Sequence, residues 1–135
     1  MTTAFRIGSV ASDVLADIKR GNNSATADKY STFEWPDGTP VQVTAGRTLY
    51  ITRIRFQSTS ADSSIVLGYG DDAVDTAVGA PTAAKILEKK ISVVVANDEV
   101  SFDVFIPIPA AKFPYFRALI GTLNCSFEGI EITNP

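Results

Sequence analysis

A change of hydrophobic period constrains this chain more than any other feature. From residue 30 onward, apolar side chains recur at every second position in short runs broken by Gly, Pro, Asn and Asp. A period of two describes an extended strand with one buried face. The clearest run, EVSFDVFIPI at 99–108, alternates Val100, Phe102, Val104, Ile106 and Ile108 with Ser101, Asp103, Phe105 and Pro107. Pro107 and Pro109 lack N–H donors, which places the end of this strand at a sheet edge or a corner.

Other runs read the same way. YSTFEW at 30–35 stops at Pro36-Asp37-Gly38, and VQV at 41–43 is a shorter strand. TLYITRIRFQS fills 48–58, and SSIVLGYG at 63–70 puts Ile65, Leu67 and Tyr69 on one face. KILEKKISVVVA at 85–96 aligns Leu87, Ile91, Val93 and Val95, and Asn97-Asp98 turns the chain into 99–108. FPYFRALIG and NCSFEGIEI read as a closing hairpin, with a bulge at Gly129 where apolar parity shifts from Phe127 to Ile130. Residues 71–84 have no periodicity and read as a long loop. Short strands, frequent turns and no intervening helices predict an all-β fold, an antiparallel β-sandwich of jelly-roll or related Greek-key type over 30–135.

The first 29 residues differ. Val10, Val14, Leu15 and Ile18 fall at helical spacing, Ser12 is an N-cap candidate, and Lys19 and Arg20 precede Gly21. This spacing predicts a short helix at 12–20 within an N-terminal arm, residues 1–29.

Composition closes off several function classes. The chain has no histidine, so Ser-His-Asp and Cys-His catalysis and His-ligated metals are excluded. Cys125 is the only cysteine and reads as a core filler, with no intrachain disulfide and no multi-cysteine metal site. The net charge is -3 and basic residues are dispersed, which argues against a nucleic-acid partner. No span reaches the roughly 20 apolar residues that cross a bilayer, so the expectation is a protein made in the cytoplasm with no membrane partner.

Sites that need no histidine remain. Asp71, Asp72 and Asp75 form an acidic loop without the ligand spacing of an EF-hand, and a solvated loop is the simpler reading. Glu34, Asp103, Glu128 and Glu131 are the strand-borne carboxylates that a glycosidase would draw on, but nothing in their spacing pairs them. Neither catalytic residue, cofactor nor metal is expected. Tyr30 and Trp35 are candidates for stacking on a sugar ring, the competing reading being that Trp35 packs on the core.

In the run 48–58, if Tyr50, Ile54 and Phe56 point inward, then Leu49, Ile51, Arg53 and Arg55 form an outer face of apolar bodies and guanidinium forks, suited to a protein neighbour. Phe105 sits on the polar parity of its own strand, and 113–121 is apolar on both parities, with Phe113, Tyr115 and Leu119 against Phe116, Ala118 and Ile120. A lone sandwich cannot hide this much apolar surface, so either subunits or the N-terminal arm cover part of it.

VQVTAGRTLYITRIRFQSTSADSSIVLGYGDD, FDVFIPIPAAKFPYFRALIG and the closing CSFEGIEIT together resemble the small jelly-roll modules among the structural proteins of tailed bacteriophages. The likeness spans roughly residues 40 to 133, and Gly46, Tyr50, Ile51, Thr52 and Gly129 occupy its fold-determining positions. It implies a virion component, such as a capsid decoration (cement) protein, a head fibre or a tail-associated module. It also implies a homo-oligomer, commonly a trimer, with a major capsid or tail protein as partner. The alternative from a different class is a carbohydrate-binding or receptor-binding β-sandwich module.

Overall fold

The computed structural model describes residues 16–60, 64–92 and 97–135. Among these residues, eight strands run in the order β1 (Ala16–Ala25), β2 (Tyr30–Thr32), β3 (Arg47–Ser58), β4 (Ser64–Gly70), β5 (Lys85–Ser92), β6 (Glu99–Ile108), β7 (Phe113–Ala118) and β8 (Leu123–Thr133). They form two four-stranded antiparallel sheets, ordered β1-β8-β3-β6 and β2-β7-β4-β5. The pairs β1/β8, β2/β7, β3/β6 and β4/β5 are all neighbours, so the chain is a long two-stranded ribbon wrapped into a sandwich. This is the jelly roll, as the alternation predicts.

The core lies between the sheets. Ile54, Phe56, Phe127, Cys125, Ile106 and Ile108 come from the first sheet, and Ile65, Leu67, Phe116 and Ala118 from the second. Phe33 joins them with its ring 5.1 Å from those of Phe116 and Phe127, and Val41 and Val43 are buried although their VQV segment is not a strand. Among the described residues β6 is an edge strand, paired only with β3, as its prolines require.

Three expectations are corrected. Residues 16–20, the second half of the expected helix, are extended and belong to β1, which pairs with β8 from Ala16↔Ile132 to Ala25↔Leu123. Ten backbone pairings to β8 outweigh a weak local helical preference that the poor helix formers Gly21, Asn22 and Asn23 could not extend. The domain therefore begins before residue 30, while residues 1–15, with Ser12, Val14 and Leu15, lie outside the described residues. Second, β7 and β8 are not a hairpin. They lie in different sheets, and the turn between them, with Gly121 at φ 71°, crosses the sandwich. Third, the parity shift falls in β3 instead of β8. Ile51 faces Gly129 and Arg53 faces Glu128, leaving Thr52 as an extra residue in a bulge. Gly129 makes room for it, since a Cβ there would sit 2.5 Å from the Tyr50 carbonyl oxygen. Val93 and Val95 lie outside the described residues.

Candidate functional site

The bulge decides which residues of β3 face outward. Before it, Leu49 and Ile51 are buried, at 0% and 2% exposure; after it, Ile54 and Phe56 are buried instead. Leu49 and Ile51 are therefore core residues and leave the list of interface candidates. Tyr50 takes their place outside. Arg53, Arg55 and Phe105 do lie on the outer face of the first sheet, where Phe105 is 71% exposed and stacks on Tyr50 at 5.1 Å.

Register assembles this face from all four strands. One row runs Ile18, Ile130, Tyr50, Pro107 across β1, β8, β3 and β6, with Ile132 beside it and Phe105 over Tyr50. Ile18 is 79% exposed. The next row is ionic. Arg20 pairs with Glu128 at 3.5 Å, Arg55 reaches the same carboxylate at 3.7 Å, and Arg53 pairs with Asp103 at 3.3 Å. Beyond it lies a shallow polar concavity of about 420 Å³ lined by Asn22, Ser24, Gln57, Glu99, Asn124 and Ser126. An apolar row, an alternating ionic row and an amide field thus lie side by side on one sheet. Such a surface can dock a protein.

The remaining candidates separate. Glu131 is buried, accepting hydrogen bonds from the Thr44 N–H and hydroxyl, both at 2.9 Å, and lying 3.6 Å from Arg47, which also pairs with Asp17 at 2.8 Å. It clamps the turn before β3. Asp103 and Glu128 belong to the ionic row, and the backbone of Glu34 bonds to Asn22. Asp71 pairs with Lys112, Asp72 accepts from the Thr82 N–H and hydroxyl, both at 2.8 Å, and Asp75 accepts from Asn23 at 3.3 Å. Among the described residues, no three acidic, Cys or His side chains gather into a metal-binding group. Burial pushes the Cys125 thiol well above its ordinary pKa, which suits a core filler.

Arg117 lies over the Tyr30 ring at 5.3 Å and Lys19 over the Trp35 ring at 5.4 Å. Trp35 also packs against the core, 6.4 Å from Phe127. No described helix is long and apolar enough to cross a membrane.

Sequence reasoning missed Ile18, Tyr50, Ile130 and Ile132. The period-two signal could have found Ile130 and Ile132, opposite in parity to Phe127. Tyr50 needed the bulge, and Ile18 needed β1.

No protein-family model matches the chain, and no curated protein matches it. Among solved structures it is similar to the Eiger TNF of S. frugiperda, at 12% identity and a TM-score of 0.51, over 89% of this chain and 94% of that one. That likeness is one of fold, a shared jelly roll. Two pentameric capsid proteins isolated from metagenomic phage sequences are more distant. One is 14% identical with a TM-score of 0.35, over 85% of this chain and 60% of that one; the other is 12% identical with a TM-score of 0.38, over 98% and 79%.

Proposed function

We propose that this chain is a non-enzymatic structural protein of a bacteriophage particle, a capsid decoration (cement) protein that works as a homo-oligomer by burying surface on its neighbours. The observation that carries the reading is the outer face of the first sheet. Ile18, Ile130, Tyr50 and Phe105 form an apolar row across hydrogen-bonded strands, where a solitary sandwich would place polar side chains. The sequence resemblance over roughly 40–133 supplies the particle. It favours trimers bound to a major capsid protein, each contact adding to the others so that dissociation from the shell is slow. Such a protein is made in the host cytoplasm and resides in the virion. It needs no cofactor.

Co-expression with the major capsid protein of the same genome tests the reading. The chain should sediment with assembled shells in fixed proportion to the capsid subunit and stay bound through washing. Complete recovery in the supernatant at both low and high salt would overturn it.

A further inference from the structure

We infer that the outer face of the first sheet seats the same face of a second copy, the two related by a two-fold axis running along the strands. This rests on the reading of the chain as an oligomeric structural protein, names the partner of that face, and sets a two-fold pair in place of the trimer that the sequence resemblance favours.

Charge order selects the occupant. Across β1, β8, β3 and β6 the ionic row reads Arg20, Glu128, Arg53, Asp103, an alternation of plus and minus with an even number of members. A two-fold axis along the strands lays the row on its own reverse. Arg20 of each copy then meets the second copy's Asp103, and Glu128 meets Arg53. The same operation lays Ile130 on Tyr50, and Ile18 on Pro107 and Phe105, so the apolar row covers itself. An axis across the strands would instead set apolar side chains against the amide field of Asn22, Asn124 and Gln57.

Net charge and area agree with this choice. Arg20, Arg53 and Arg55 balance Glu99, Asp103 and Glu128, so the face does not repel its own copy and offers no excess of positive charge to phosphates. Strands of 10 to 12 residues at about 3.3 Å per residue, four of them about 4.8 Å apart, give a face of roughly 700 Å². A standard interface buries about 800 Å² per partner. Because each copy has one such face, the contact closes on itself as an isologous pair.

The test is a charge exchange in the full chain, read by sedimentation equilibrium, with circular dichroism confirming the fold of every variant. Arg20→Glu and Asp103→Arg should each weaken the dimer about ten-fold or more, since each variant spoils two symmetry-related pairs. The double variant Arg20→Glu/Asp103→Arg should recover to within about three-fold of the original constant, because the exchanged charges again face each other across the axis. If those charges act only within one copy, the double variant sets a second carboxylate beside Glu128 and a second guanidinium beside Arg53, and it will be the weakest of the three. That result overturns the pairing. Phe105→Glu, in the apolar row, should yield monomers. An oligomer indifferent to all four variants, or one with an odd number of copies, overturns the two-fold contact and leaves the structural-protein reading standing. A monomer at every concentration, whether its face is bare or covered by its own residues 1–15, overturns both.

Discussion

The outer faces of the two sheets solve the same problem in opposite ways. Both carry large side chains. On the second sheet the chain covers its own surface: Tyr115, on the outward parity of β7, is only 1% exposed, packed at 5.8 Å on Tyr30 and lying over Gly68, where a Cβ would come within 2.7 Å of its hydroxyl. The loop 71–84 lies along the same sheet. Val74 and Ala77 accept from the N–H groups of Thr32 and Tyr30 at the free edge of β2, and Pro81 sits on Gly70. On the first sheet nothing among the described residues covers Phe105 or Ile18. Apolar excess on both parities therefore has two meanings: at β7 it is met within the chain, although Ile86 opposite Gly68 on β5 stays 56% exposed. The doubly apolar run 113–121 is satisfied mostly from within, while the ordinary-looking parity of 99–108 carries the exposed ring.

The sharpest way to break this comparison is to truncate the covered face. Tyr115→Ala should lower stability by about 3–5 kcal/mol in chemical denaturation, as for a core aromatic, although its side chain points away from the core. A loss below about 1 kcal/mol would show that Tyr115 is not sealed against Tyr30 and Gly68. Gly70→Ala probes the seal from the other side. Its Cβ would stand 2.4 Å from the Pro81 Cβ, and neither group can rotate away. We expect a loss of about 1–3 kcal/mol, with faster hydrogen exchange at the N–H groups of Thr32 and Tyr30 that bond to the loop.

These effects also mark what the sequence makes legible. Strand alternation identifies β3, β4, β6 and β8, and the prolines place β6 at an edge, because each signal is local. β1 is illegible for a physical reason. The parity it turns to the sandwich interior is Asp17, Lys19, Gly21, Asn23 and Ala25, held by ion pairs, a cation over Trp35 and close packing instead of large apolar groups. A Cβ on Gly21 would come within 2.5 Å of the Phe127 ring, so glycine there marks close approach and gave no sign of a strand. The candidate face is harder still to read. Its rows run across strands 30 to 110 residues apart in the chain, about as far as Ile18 is from Ile130, and the one-residue bulge at Thr52 exchanges Tyr50 for Leu49 and Ile51. Composition could show that apolar surface was in excess, but only register shows where it gathers.

The bare face should be nearly silent in the monomer. Phe105→Ala removes a stacked but exposed ring, and at concentrations too dilute for assembly it should cost about 0.5–1 kcal/mol, several-fold less than Tyr115→Ala. The two aromatics lie on outward parities of neighbouring layers, so equal costs would mean that the two faces are equally covered. A small cost in dilute solution that grows with protein concentration is the signature of a residue that stabilises the assembly more than the fold.

The smallest effect concerns how the loop of the second sheet is pinned. Hydrogen bonds from the Thr82 N–H and hydroxyl hold the Asp72 carboxyl below its ordinary value of 3.8. The folded protein thus binds this proton less readily than the unfolded chain, and the contribution is complete above about pH 4 and fades as pH falls through the lower folded value. Asp72→Asn should therefore unfold at a slightly lower temperature than the original chain at neutral pH, and the two curves should converge as the solution is acidified. The acid limb will not flatten entirely, because Asp37 is held low in the same way by Thr39. A gap that persists unchanged to low pH would mean that side-chain shape, and not the carboxylate charge, pins the loop over the second sheet.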